Sequence, residues 1–254
     1  MRHHNTLHKQ RDYDFQKILE ALSQESLKGL TLNKEILELL KPSHEKIFYF
    51  KHLIDLKQEW YLEDSKDFFT ACISMLIECI LQISIGRYRT THILLRSSLE
   101  ALCSGIFIEL LNKNPDEKFS QNIDQIKKEL IAGFTINFDK RKRKLFRRTV
   151  HNYVDNSIKK DLYWMLSDYV HSTKREFLST EEYIEDMLGV VKTQTSVDFE
   201  NTLIVLNKVL NNLILLTLIS DYDFYIKEPR EIVRFATSKF SSQETDFLNN
   251  WYSS

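Results

Sequence analysis

Residues 65–111 read SKDFFTACISMLIECILQISIGRYRTTHILLRSSLEALCSGIFIELL, and this stretch decides the fold. Apolar side chains recur through it at three- and four-residue spacing, the period of an α-helix. Ser65 is placed to cap a helix running to Ile85, Gly86 interrupts it, and a second helix runs from Tyr88 to Leu111, ahead of Pro115. Both are apolar nearly all round, the mark of helices buried on several sides. A break this short predicts an antiparallel hairpin.

The rest of the chain extends the same reading. Its 254 residues hold five Gly and three Pro, where average usage predicts about 18 and about 13. Sheets and hairpins use both residues at their turns, whereas helix interiors exclude them. The fold class is therefore all-α. Short helices are predicted at residues 13–24, from Lys34 to Leu40 ahead of Pro42, and from Ser43 to about Tyr61. Beyond the hairpin, helices are predicted at 117–131, from Lys140 to Val154, from Ser157 to His171, and from Ser196 to Tyr222. Ser179 with Glu182 and Ser241 with Glu244 read as capping boxes for two more. This gives an extension at 1–64, a central bundle at 65–222 and C-terminal helices at 223–254.

Phe68–Ile85 and Leu203–Ile219 have the length of membrane spans. Glu78 and Gln82 interrupt the first, and Asn207, Lys208, Asn211 and Asn212 the second, so both are expected in a bundle and not in a membrane. The first ten residues are polar with no apolar run after them, so a cytoplasmic location is expected and His3, His4 and His8 are expected in a mobile tail. Cys72, Cys79 and Cys103 sit in apolar runs and read as core residues with neither disulfide nor metal spacing.

Three polar features stand out. His92, Arg96 and Glu100 are four apart and line one face of the second hairpin helix, with Ser74, Glu78 and Gln82 as a matching line on the first. Arg96 can pair with Glu78 or Glu100; the set is either a polar pocket or an ion-pair knot that fixes register. His171, one turn after Ser167, ends a helix, where an imidazolium is favoured. Lys140, Arg141, Lys142, Arg143, Lys144, Arg147 and Arg148 form a dense basic run in a chain of net charge −1. That run reads as a solvated face or as a phosphate-contact surface for RNA or DNA, with Phe146 and Tyr153 available for stacking.

The segment Tyr88-Arg-Thr-Thr-His-Ile-Leu-Leu-Arg-Ser-Ser-Leu-Glu100 and the later Leu166-Ser-Asp-Tyr-Val-His-Ser172 are similar to a group of bacterial HEPN-like helical proteins. The resemblance spans about residues 65 to 220. It implies a helical bundle that often dimerises, an association with toxin–antitoxin or phage-defence systems and, in many members, ribonuclease activity. The residues it carries over as a tentative catalytic set are Arg96, Glu100 and His171. The catalytic HEPN pattern is an Arg, four to six residues, then a His. No Arg stands at that distance before His171; the literal matches are Arg2 to His8 and Arg87 to His92.

The chain lacks a Gly-rich phosphate loop, a Glu-x-x-His pair, a Gly-x-Ser-x-Gly elbow and a Cys-x-x-Cys pair. No cofactor and no metal are expected. The leading expectation is a non-catalytic or regulatory HEPN-like homodimer that binds nucleic acid or a protein partner. A metal-independent ribonuclease toxin and a small-ligand sensor are the alternatives.

Overall fold

The computed structural model describes residues 2–22, 34–134, 140–171, 197–225, 230–238, 240–242, 244–246 and 248. These residues form helices and turns, with no strand among them, so the chain is all-α. The helices are α1 (Arg2–Leu22), α2 (Lys34–Leu56), α3 (Glu63–Ser84), α4 (Tyr88–Leu111), α5 (Phe119–Phe134) and α6 (Lys140–Asn152). A π-helical stretch (Tyr153–Trp164) and α7 (Met165–His171) continue α6 without a break; α8 (Val197–Ser220), α9 (Tyr222–Tyr225) and α10 (Arg230–Ala236) follow.

Helices α3 and α4 pack together along the hairpin expected about Gly86, whose φ of 76° lies where a Cβ is disfavoured. Leu76, Cys79 and Ile83 on α3 and Leu95, Leu99 and Cys103 on α4 are sealed from solvent. Burial pushes all three cysteine thiols well up, so they serve as inert packing groups. Helix α8 lies against α4 and α2, and every residue from Val209 to Ile219 is buried. By length and composition α3 and α8 could each cross a membrane; here 50% and 78% of their most apolar windows are buried inside the protein.

Several expected boundaries are corrected by contacts distant in sequence. Ser65 is not the cap of α3. The helix begins at Glu63, and the Leu62 N–H donates to Glu109 Oε1 of α4 at 2.7 Å. The Ser65 hydroxyl donates to the same carboxylate, which meets the positive end of the α3 dipole. Pro42 does not divide the chain: α2 runs through it, held by the buried Leu40, Ser43, His44 and Ile47 around it. Nor is His8 in a loose tail. It lies within α1, pairs through Nδ1 with the Tyr49 hydroxyl at 3.2 Å and meets Phe235 edge-on at 4.8 Å. The capping box at Ser179 and Glu182 falls outside the described residues. At Ser241 the expected box is present, with Ser241 N–H donating to Glu244 Oε2 at 2.7 Å and Glu244 N–H to Ser241 Oγ at 3.3 Å.

The expected break between Val154 and Ser157 is replaced by the π-helical stretch. Phe146, Val150, Val154, Ile158, Leu162 and Leu166 are all buried and stand four apart. On a regular helix each four-residue step turns the stripe by about 40°, so five steps would carry it about 200° round the axis. The wider π turns hold more residues each and cancel that drift. One face of residues 140–171 thus stays against the core over its whole length, and the opposite face stays in solvent.

Two glycines test this packing in opposite directions. A Cβ at Gly105 of α4 would come within 2.7 Å of Phe69 Cε1, a ring that is itself buried, whereas one at Gly133 of α5 meets nothing within 4 Å. Overpacking costs about 1–3 kcal/mol against about 1 kcal/mol gained in helix propensity. Gly105→Ala is therefore expected to lower the melting temperature and Gly133→Ala to raise it by a few degrees; thermal melts of the two variants check the pair.

Candidate functional site

Arg96 lies on α4 with its side chain 17% exposed. Its Nε donates to Glu100 Oε1 at 3.0 Å and one terminal nitrogen donates to the Tyr163 hydroxyl at 2.9 Å. The guanidinium also sits 4.9 Å from the centre of the Tyr163 ring, which stacks on Phe119 of α5 at 4.1 Å. The arrangement fastens α4, α5 and the π-helical stretch at one point. Of the two expected carboxylates, Glu100 is the observed partner; Glu78 is exposed and accepts from Gln82 Nε2 at 3.4 Å. A second fastening lies nearby. Lys127 donates to Asp155 at 2.8 Å and Lys159 to Asp124 at 2.6 Å, tying α5 to the π-helical stretch. Burial opposes charge on both aspartates, yet the two ammoniums hold their carboxyls below the ordinary range.

His171 closes α7, and its side chain lies outside the described residues. Ser167, one turn before it, donates to the Tyr163 carbonyl at 2.6 Å. The expected association of His171 with Arg96 and Glu100 thus falls outside the described residues. The histidine found in this region is His92, 3% exposed and stacked on Tyr169 of α7 at 3.8 Å. Its Nδ1 lies 2.7 Å from the Tyr88 carbonyl and so carries the proton. Burial lowers its affinity for a second proton, with the Tyr88 carbonyl and Asp198 opposing weakly. The ring is neutral, and Nε2 is buried with no hydrogen-bond partner among the described residues.

The basic run resolves into one face. Lys140, Lys144, Arg147 and Arg148 are exposed at positions i, i+4, i+7 and i+8, and none has an ion pair among the described residues. Arg143 is partly buried, and the side chains of Arg141 and Lys142 lie outside the described residues. The expectation that Phe146 and Tyr153 could stack on bases is corrected: each is 6% exposed, and the Tyr153 hydroxyl donates to the Asn212 carbonyl at 3.2 Å.

A further feature escaped the sequence reading. A cleft of about 1160 Å³ opens between the π-helical stretch, α8 and the chain around Ser241 and Glu244. At its base Lys46 Nζ, from α2, donates to Asn211 Oδ1 at 2.7 Å, and Asn211 Nδ2 donates to Glu244 Oε2 at 3.0 Å. Asn207 Nδ2 donates to Ser43 Oγ at 3.0 Å, and Asn212 Nδ2 to the Lys208 carbonyl at 2.8 Å. The signal was present as polar residues at helical spacing inside an apolar run, which read only as interruptions of a membrane span.

No protein-family model, curated protein or solved structure matches this chain. The site therefore rests on its own geometry.

The neutral histidines give a pH dependence. His44 and His92 are each 3% exposed, and burial holds both below the ordinary imidazole value. In the unfolded chain both protonate near pH 6.5. Below that pH the unfolded state binds more protons, so stability is fully present above it and declines on acidification. The melting temperature is expected to fall from pH 7.5 to pH 5.5, and His92→Gln to flatten that slope; an unchanged slope in the variant would remove His92 from the effect.

Proposed function

We propose that this chain is a non-catalytic, HEPN-like helical protein that binds nucleic acid through the solvent face of α6, acting as a cytoplasmic homodimer in a bacterial defence or toxin–antitoxin setting. The observation that carries the binding role is the stripe Lys140, Lys144, Arg147 and Arg148, exposed on one face and without an ion pair among the described residues. The whole molecule, at net charge −1, has no field to attract a polyanion. Four cations along about three turns of helix supply one locally, and each releases condensed counterions when it meets a phosphate. Arg96 and Glu100 then act as the joint that holds α4 to the helix bearing the stripe.

A second reading is a metal-independent ribonuclease. It is favoured by the unpartnered Nε2 of neutral His92, five positions after Arg87. There Nε2 would take the proton of a ribose 2′-hydroxyl as its oxygen attacks the adjacent phosphorus and the 5′-oxygen departs. Arg96 is engaged by Glu100 and Tyr163, which leaves Arg87 to stabilise the charged phosphorane. The 3% exposure of His92 weighs against access to a phosphodiester.

Binding of labelled RNA across 50–200 mM salt separates the readings. The expected slope of log affinity against log salt is about −3, for four phosphate contacts on a single strand. Reversing all four charges should abolish retention, while His92→Ala and His171→Ala leave it intact. Metal-free cleavage by the native chain that disappears in His92→Ala would instead establish the ribonuclease; retention indifferent to the α6 charges would remove the binding role from this face.

A further inference from the structure

The exposed face of α6 does not end at Arg148. On the same continuous helix, Asn152, Asn156, Lys160 and Trp164 follow on the solvent side, opposite the buried stripe from Phe146 to Leu166, with Asp161 exposed on the flank that lines the cleft. Asn152 and Asn156 line the cleft, and neither side chain makes a hydrogen bond among the described residues. Across the cleft, Asn207 commits its Nδ2 to Ser43 Oγ and the Leu203 carbonyl, and its Oδ1 accepts no hydrogen bond among the described residues. Trp164, 60% exposed, stands beyond the cleft on the same helix. The sequence of surfaces along one axis is thus cations, then amides beside the cleft, then Lys160 and Asp161, then an exposed indole.

We propose, resting on the nucleic-acid reading above, that this axis is the track of single-stranded RNA, with phosphates on the α6 cations and unpaired bases entering the amide-lined cleft. Three observations select this occupant. The cleft, at about 1160 Å³, exceeds the 300–1,000 Å³ typical of small-molecule sites, so it fits a length of polymer better than one metabolite. Side-chain amides present a donor and an acceptor side by side, the pattern that matches the edge of an unpaired base. A duplex keeps its base edges inside and could use only the cations, whereas a single strand can use all three surfaces, the indole by stacking.

The base of the cleft supports the same assignment. The Lys46–Asn211–Glu244 chain orients the Asn211 amide, with an ammonium at one end and a carboxylate at the other. Lys208, Asp161 and Asp246 also line the cleft, so cations and carboxylates are mixed within it, and the phosphates are left to the exposed stripe. From Lys140 to Trp164 the helix extends on the order of 30 Å, which a stacked strand covers in about ten nucleotides at about 3.4 Å each.

The test is fluorescence anisotropy with a labelled RNA of about ten nucleotides, the same RNA as a duplex, and uridine monophosphate as competitor. It is carried out on the native chain, Asn152→Leu/Asn156→Leu, Trp164→Ala and the α6 charge reversal, each first shown to melt as the native chain does. The amide double variant is expected to bind the single strand about tenfold more weakly with an unchanged salt slope, because its lost contacts are uncharged, and to bind the duplex as before. Trp164→Ala should weaken the single strand alone. Charge reversal should flatten the slope for both. If the amide variant binds the single strand as the native chain does while charge reversal still abolishes binding, the track is wrong and the α6 interface stands. If charge reversal has no effect, the underlying reading fails. Uridine monophosphate binding as tightly as the oligomer, and unaffected by the α6 charges, would overturn the strand in favour of a free-nucleotide site.

Discussion

Burying α8 on all sides governs much of what surrounds it. Eleven consecutive residues from Val209 to Ile219 lie out of solvent, and Asn211, Asn212 and Thr217 are among them. A buried amide without partners costs about 1–3 kcal/mol; the Lys208 carbonyl of α8 itself serves Asn212, Thr217 Oγ1 has no partner among the described residues, and neighbouring elements serve Asn211. Lys46 on α2 and Glu244 near the C-terminus engage Asn211 from two directions, and the Tyr153 hydroxyl reaches the Asn212 carbonyl. Parts of the chain nearly two hundred residues apart are thereby held to one helix. Tyr225 repeats the device just after α8, donating to the Leu53 carbonyl at 2.7 Å. On the α8 face beside the π-helical stretch, Asn207, Lys208, Asn211 and Asn212 stand among Leu203, Ile204 and Leu215, and a cleft of mixed polarity remains there.

Charge is distributed along the same lines. Four cations on other elements are tied to carboxylates: Lys57 to Asp221, Lys127 to Asp155, Lys159 to Asp124 and Arg96 to Glu100. The Lys127–Asp155 and Lys159–Asp124 pairs join α5 to the π-helical stretch and fix its register, whereas Arg96–Glu100 lies within α4. Asp221 shows the strain of such placement, since burial raises its carboxyl despite the Lys57 ammonium. Lys140, Lys144, Arg147 and Arg148 have no such engagement among the described residues.

What could be read in the sequence was whatever depends on near neighbours. The hairpin about Gly86, the apolar period of α8 and the Ser241–Glu244 box all rest on residues within a few turns of one another, and all three are present. The misreadings each involve a distant partner. Ser65 has the chemistry of a cap, but Glu109 reaches the α3 terminus first. Pro42 is a strong local breaker at about 3 kcal/mol, yet the buried side chains on both sides of it carry the helix through. The expected boundary between Val154 and Ser157 is absent, because six buried residues at four-residue spacing keep the helix intact by widening its turns. Of the tentative catalytic set, Arg96 and Glu100 do meet, and Tyr163, which completes their contact, stands 67 residues from Arg96 with no local signal to announce it.

The π-helical stretch ties these observations to the proposed function. A regular helix over residues 140–171 would rotate its buried stripe away from the core, and its solvent face with it. Cations near the start and amides further along would then point in different directions, and no ligand could touch both. By holding the buried stripe straight, the wider turns also hold the solvent stripe straight, so Arg148, Asn152 and Asn156 share one side. Such widened segments recur at functional sites because they are tolerated only where packing demands them. Here the demand comes from Val154, Ile158 and Leu162, which are sealed completely. Core packing that serves stability alone thereby aligns a continuous polar surface, and the alignment is a consequence of the apolar stripe on the other side of the helix.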